Sequence, residues 1–222
     1  MPSITFLGHA CFLIETGGKR LVTDPFLTDN PLAPCKPEEI KADYILVSHA
    51  HFDHLGDTEM IAKTNGATVI STAEIAEDCK NKGLNAHGMH LGGGYNFEFG
   101  RVKLVPAFHG SGIAGGHACG FVIESEGKNI YFAGDTGLFG DMQLIGELHP
   151  LDLALLPIGD NFTMGVNDAA KAASLLKAKK IIPYHYNTWP LIAVDPVDFK
   201  TKVEAETTSE CFILNPGEKY SY

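Results

Sequence analysis

The chain has 222 residues, 45% hydrophobic and 20% charged, the balance of a soluble globular protein able to bury a sizeable core as one domain over 1–222. A formal net charge of −10 argues against nucleic acid or an anionic membrane as a partner and leaves a small-molecule substrate as the expected one. Five cysteines without a CxxC pair, no leader of basic-then-apolar type and no membrane-length apolar run predict reduced thiols and a cytoplasmic location.

In chain order the sequence offers short β-rich runs: SITFL, CFLIE, RLVT, YILV, ATVIS, VKLVPAF, GFVIE, NIYFA, LALL, KIIP and CFIL. Helices are expected after Asp57, Thr72 and Gly137, and near Val197 to Glu206. The clearest is NDAAKAASLLKAKK, where Asn167 reads as the N-cap. Ala169, Ala172, Ala173 and Leu176 then form an apolar stripe, with lysines crowding the last turn. Strands interleaved with helices and hairpins indicate a layered α/β (α+β) domain. LGGGYNF reads as flexible backbone, and without a following helix it is a poor phosphate loop.

One segment echoes another. HACFLIETGGKRLV from His9 matches HACGFVIESEGKNIY from His117 when Gly120 is treated as an insertion. Each copy runs on to an aspartate, Asp24 in VTDP and Asp135 in FAGD. Two hairpins of similar composition would explain this. So would two related halves packed as a pseudo-symmetric sandwich, with a ligand at their shared edge.

The chemistry concentrates in YILVSHAHFDHLGD. His49, His51, Asp53 and His54 occupy six residues, a spacing that neither a core nor a solvated face requires. Alternation along an extended segment lets His49, His51 and Asp53 converge, and His54 follows as the chain turns toward a helix. Neutral imidazoles suit zinc and other transition metals, and a carboxylate adds charge. A single tetrahedral site rarely uses four such close groups, whereas two adjacent sites can. Further ligands stand at other strand ends: His109 after VKLVPAF, Asp135 after NIYFA and His185 after KIIPY.

With FLGHACFLIE, TDPF, FHGSG, YFAGDTGLFGDM, LLPIGDNFTMG and IIPYHYNTWP, this constellation resembles the metallo-β-lactamase superfamily. Within it, the chain is similar to small bacterial and archaeal metal-dependent hydrolases related to ascorbate-phosphate lactonase. The resemblance implies a four-layer αββα sandwich with pseudo-two-fold halves and two divalent metal ions (Zn, Mn, Fe or Ni) at one edge. It implies that His49, His51 and His109 hold the first ion, that Asp53, His54 and His185 hold the second, and that Asp135 bridges them. The chain departs from these relatives between His109 and Phe121, where GSGIAGGHACG is short and His117 stands in place of a more usual Asn.

Two cations ~3.5–4 Å apart can hold one hydroxide and lower its pKa toward neutrality. Hydrolysis of a small, anionic ester, lactone or phosphodiester is therefore the leading expectation, with Asp53 and Asp135 supplying negative charge. His9 and His117 are the candidate acids for the leaving oxygen. Asp24 is expected to hold the N–H of a metal-bound imidazole from behind, although a turn role before Pro25 competes. Asn161, Thr163 and Asn187, together with Trp189, are expected around the pocket, and Gly110–Gly120 is expected to form one wall. The alternatives are a mononuclear iron sulfur or persulfide dioxygenase, for which His49, His109 and Asp135 suffice, and a non-catalytic metal-binding module. Homo-oligomerisation is left open.

Overall fold

The computed structural model describes residues 2–222. The first half contributes strands β1 (Ser3–Phe6), β2 (Phe12–Thr16), β3 (Lys19–Thr23), β4 (Tyr44–Leu46), β5 (Thr68–Thr72) and β6 (Ala86–Met89). The second contributes β7 (Gly94–Phe97), β8 (Gly100–Pro106), β9 (Cys119–Ser125), β10 (Lys128–Phe132), β11 (Leu153–Pro157), β12 (Lys180–Tyr184) and β13 (Glu210–Cys211). Strand β14 (Lys219–Ser221) returns to pair with β1. The two sheets run β14-β1-β2-β3-β4-β5-β6 and β13-β12-β11-β10-β9-β8-β7.

Each half is built the same way. In the first, β1, β2 and β3 are antiparallel and β4, β5 and β6 continue in parallel. In the second, β8, β9 and β10 are antiparallel and β11, β12 and β13 continue in parallel. The repeated segments are the hairpins β2–β3 and β9–β10. Both turn through two residues with positive φ, Gly17 (56°) with Gly18 (70°) and Glu126 (51°) with Gly127 (73°). That is the backbone a two-residue hairpin with the natural strand twist requires.

The layers follow from which faces are apolar. Between the sheets lie Phe12, Ile14, Leu21, Phe121, Phe132 and Tyr184, all fully buried, and each stabilises the fold by ~1.5–3 kcal/mol. Helices α2 (Thr58–Asn65) and α3 (Ala73–Asn81) cover the outer face of the first sheet, placing Ile61, Ile75 and Cys79 against Val22, Ile45 and Val69. Helices α4 (Met142–Leu148), α5 (Val166–Leu176) and α6 (Pro196–Glu206) cover the other sheet, placing Met142, Ala169, Leu176 and Phe199 against Val122, Ala154 and Ile181. This is the αββα sandwich. The short α1 (Phe52–Leu55) lies apart from these layers, at the sheet edge.

The stripe Ala169, Ala172, Ala173 and Leu176 is buried as its spacing predicts. The helix boundary differs from the expectation. Gly165 is the N-cap, Asn167 sits in the first turn, and Lys177 closes the helix in the left-handed conformation, so no basic residue occupies the last turn. Strands β6, β7 and β14 also go beyond the expected runs, and CFIL pairs only at its start, as β13. All five cysteines are free thiols. Among the described residues no helix is long and apolar enough to cross a membrane.

Candidate metal centre

Strand ends from both sheets open onto one edge. His9 follows β1, Asp24 follows β3, His49 follows β4, His109 follows β8, Asp135 follows β10 and His185 follows β12. Chain direction therefore delivers these side chains to one place, on backbone fixed by the ladders.

Two groups of donors form. In the first, His51 Nδ1 lies 3.0 Å from His49 Nε2 and 3.3 Å from His109 Nε2. In the second, His54, His185, Asp53 and His9 bring ligand atoms within 4.8 Å of one another. Asp135 stands between the groups. Its Oδ2 is 3.1 Å from His185 Nε2, 3.3 Å from His54 Nε2 and 3.7 Å from His109 Nε2. Asp53 Oδ2 is 3.7 Å from His54 Nε2 and 3.8 Å from His185 Nε2. The seven expected ligands are thus brought together in two sets, with Asp135 facing both.

The protein's own hydrogen bonding fixes which imidazole nitrogens remain free. Asp24 is fully buried and accepts from the Ser48 amide (2.7 Å), the Ser48 hydroxyl and His54 Nδ1 (2.7 Å). With its proton directed to Asp24, Ser48 Oγ accepts from His49 Nδ1 at 2.9 Å. His49 and His54 are thereby left with Nε2 as the open position. One carboxylate orients an imidazole in each group, His54 directly and His49 through Ser48. Asp24 does face an imidazole N–H, that of His54; Ser48 was not singled out from the sequence, although it directly precedes His49.

Electrostatics divide the histidines. Burial drives the His49 pKa down to about 2 and that of His9 to about 4, and it also lowers His109, so these rings are neutral donors. Burial opposes charge on His54 too, but the Asp135 and Asp24 carboxylates outweigh it and hold its pKa well above the usual imidazole value. Burial likewise works against ionising Asp135 and Asp53. The histidines around Asp135, and His9 with His54 beside Asp53, prevail and keep both below the ordinary carboxylate range. What remains unsatisfied is informative: His54 Nε2, both nitrogens of His185 and Asp135 Oδ1 are buried without a hydrogen-bond partner. Although their contacts with Asp135 Oδ2 are short, the two Nε2 atoms are not aligned for hydrogen bonding. Orphans at such density are costly unless a cation takes the lone pairs. The donor set therefore fits divalent metal ions.

Other expected residues are placed differently. His9 is 0% exposed and sits behind Asp53, its Nε2 3.1 Å from Asp53 Oδ2 and its Nδ1 2.8 Å from Thr188 Oγ1. His117 is exposed and does not line the pocket beside the ligands. Asn161 is exposed and Thr163 half-buried, in a turn closed by the bonds Thr163 N to Asp160 O and Asp160 N to Met164 O. Asn187 is exposed and ties its own loop, accepting from the Val194 amide at 2.9 Å. The glycine-rich segment differs from the expected wall. Ser111 O accepts from the Ala50 amide (2.8 Å), and a Cβ on Gly112 would lie 2.6 Å from Ala50 C and 2.7 Å from His51 N. The segment thus braces the His49–His51 backbone, and close approach is why glycine stands at 112.

Several non-glycine residues here have left-handed backbone: His9 (φ 55°), Asp24 (33°), Asp160 (60°), His185 (57°) and Asn187 (58°). Each such conformation costs ~1–3 kcal/mol and turns a side chain sharply out of its strand direction.

The pocket over the ligands has a volume of about 460 Å³. Its other walls are Phe52, Phe162, Trp189 and Leu191, and among the described residues no lysine or arginine lines it.

A model of the β-lactamase superfamily domain matches residues 3–185. The chain belongs to the β-lactamase superfamily. A protein of Pelotomaculum thermopropionicum named UPF0173 metal-dependent hydrolase is 57% identical over 97% of each chain, and one of Natranaerobius thermophilus with the same name is 51% identical over 97% of each. Among solved structures, a metallo hydrolase from the archaeon Ignicoccus hospitalis matches with a TM-score of 0.93 and 38% identity, covering 100% of this chain and 99% of that one. The superfamily resemblance read from the motifs is the relationship found.

Proposed function

We propose that the chain is a metal-dependent hydrolase that works with two divalent ions and cleaves a small ester, lactone or phosphodiester. The observation carrying this reading is the pair of donor groups that meet at Asp135, with unpartnered nitrogen and oxygen atoms aimed between them. His49, His51 and His109 would hold one ion, Asp53, His54 and His185 the other, and Asp135 both. When bound, such ions supply an acidified water as nucleophile and positive charge for a developing oxyanion.

The chain's residues have definite tasks in this reading. Asp24 keeps the His54 proton on Nδ1 and, through Ser48, the His49 proton on its Nδ1. Asp53 and Asp135 offset part of the ionic charge, leaving the centre cationic enough to draw an anionic substrate group. His9, gripped by Thr188, steadies Asp53 from behind and lies too deep to reach a leaving group. Among the described residues no side-chain acid lines the pocket apart from the candidate ligands themselves.

Metal analysis of protein purified without supplementation, followed by a panel of lactone, phosphodiester and ester substrates, tests this. About two ions per chain and turnover abolished by chelation, then restored by Mn²⁺ or Zn²⁺, are expected. Strict binding of one ion, with no hydrolysis but oxygen consumption in the presence of a thiol or persulfide, would overturn it.

A further inference from the structure

The pocket walls carry a signal that the metal ligands do not. Phe52 is 71% exposed, Leu191 63% and Phe162 49%, and all three converge on one cavity with Trp189. Large apolar side chains that gather around a cleft, and are not scattered singly, mark a binding surface. They come from three separate segments, the start of α1, the turn at Asp160–Met164 and the stretch after β12, so local sequence does not account for their meeting.

The wall is also built firmly. Phe26, 5% exposed, backs it, with ring centroids 5.9 Å from Phe52 and 6.0 Å from Trp189, and Phe52 and Trp189 lie 6.0 Å apart. The Trp189 loop is pinned by Asn187 N to Ile192 O (2.9 Å), Ile192 N to Trp189 O (3.1 Å) and the fully buried Ile192. Phe162 projects from the turn closed by Asp160 and Met164, which is anchored by Met164 N to Thr136 O at 3.0 Å. Such surfaces bind without first having to be ordered.

We infer that the substrate carries an apolar group of aromatic-ring size beside its hydrolysable bond, held among Phe52, Phe162, Trp189 and Leu191. This rests on the hydrolase reading only in placing the reacting bond at the ligand groups. With no lysine or arginine in the lining, the remote part of the substrate meets no side-chain cation. Any anionic group belongs at the metal end, and the opposite end is uncharged. The volume of about 460 Å³ accommodates a phenyl group together with the reacting function.

The test separates binding from turnover. Phenylphosphonate and methylphosphonate share an anionic head that metal can hold, and neither has a bond of the proposed class. Binding to Mn²⁺-reconstituted protein is followed by calorimetry and by the fluorescence of Trp189, the chain's single tryptophan. Phenylphosphonate is expected to bind at least ~10-fold tighter, as apolar pockets discriminate by about that factor per well-placed group, and to perturb the emission. Leu191→Ala and Trp189→Ala should shrink the preference at unchanged metal content, and Trp189→Phe should retain most of it. In turnover, 2-phenylethyl acetate should exceed ethyl acetate in kcat/KM by a similar ratio. Equal affinities, or binding of neither phosphonate, would overturn the inference. So would a dimer that Leu191→Asp renders monomeric while the two affinities stay equal, which would assign the wall to a second copy. A phenyl preference in binding without cleavage of any ester, lactone or phosphodiester would sustain the inference and refute the hydrolase reading.

Discussion

Asp24 and Asp135 occupy equivalent places in the two halves, each following the second strand of the repeated hairpin, yet they face opposite surroundings. Asp24 is surrounded by donors of the protein itself, two from Ser48 and one from His54. Asp135 meets only imidazole nitrogens and keeps one oxygen without a partner. His9 and His109, which follow β1 and β8, divide in the same way: the first is sealed behind Asp53, the second is half-buried and opens to the pocket. Position in a duplicated frame delivers a side chain to the edge, and the neighbouring donors decide whether it supports the centre or belongs to it.

That division ranks the effects of substitution. Asp135→Asn removes the carboxylate shared by both donor groups. It should weaken both ions and depress turnover beyond the ~10–100-fold typical of residues acting through a ligand. Metal content and kcat of the variant, measured together, check this; retention of both ions at full activity would remove Asp135 from its place between the groups.

Asp24→Asn should cost ~10–100-fold in metal affinity or activity. Because Asp24 reaches His49 only through Ser48, Ser48→Ala should weaken the first group selectively, an effect visible in two-step metal titration by calorimetry. A loss at Asp24 as large as at Asp135 would erase the distinction between the two aspartates.

Thr188→Val deletes the hydroxyl at His9 Nδ1 and leaves the volume nearly unchanged. A loss of ~1–3 kcal/mol in unfolding free energy is expected, because the buried His9 Nδ1 is left without a partner. The accompanying change in metal affinity should be smaller than for Asp24→Asn. Denaturant melts with and without metal measure both quantities.

The smallest effect belongs to Asp152, near the start of β11 and away from the centre. Burial works against its ionisation, but Lys179, the Asn129 amide and Lys128 prevail and lower its pKa. A carboxylate whose folded-state pKa is depressed contributes stability above its unfolded value of ~3.9 and loses it as pH falls through the folded value. Asp152→Asn should therefore lose under ~1 kcal/mol at neutral pH, and the gap from the parent should close below pH ~4, which paired urea melts at the two pH values resolve.

The clustering of candidate ligands was readable because metal chemistry restricts residue type and spacing together: no ordinary strand turn needs His49, His51, Asp53 and His54 within six residues. Hairpin frame and layer order were readable from the echo, since a shared turn backbone keeps its glycines and flanking apolar residues. Strands β6 and β7 were not, because AHGM and GYNF lack the β-branched runs that mark strands and are held by their neighbours in the sheet. Exposed His117 shows the limit of reading a histidine by sequence neighbourhood. The apolar wall was hidden for a related reason: Phe52, Phe162, Trp189 and Leu191 meet only once the chain is folded.

The left-handed backbone at His9, Asp24 and His185 has a bearing on how this protein can be improved. Glycine adopts that geometry freely, so at these positions the demands of folding and of chemistry pull toward different residues. Selection for heat resistance alone, applied to a library of this chain, would drift toward glycine or asparagine there and return robust, inert molecules. Thermostabilising it without that loss means leaving the six strand ends untouched and working on the outer helices, where no function competes for the backbone.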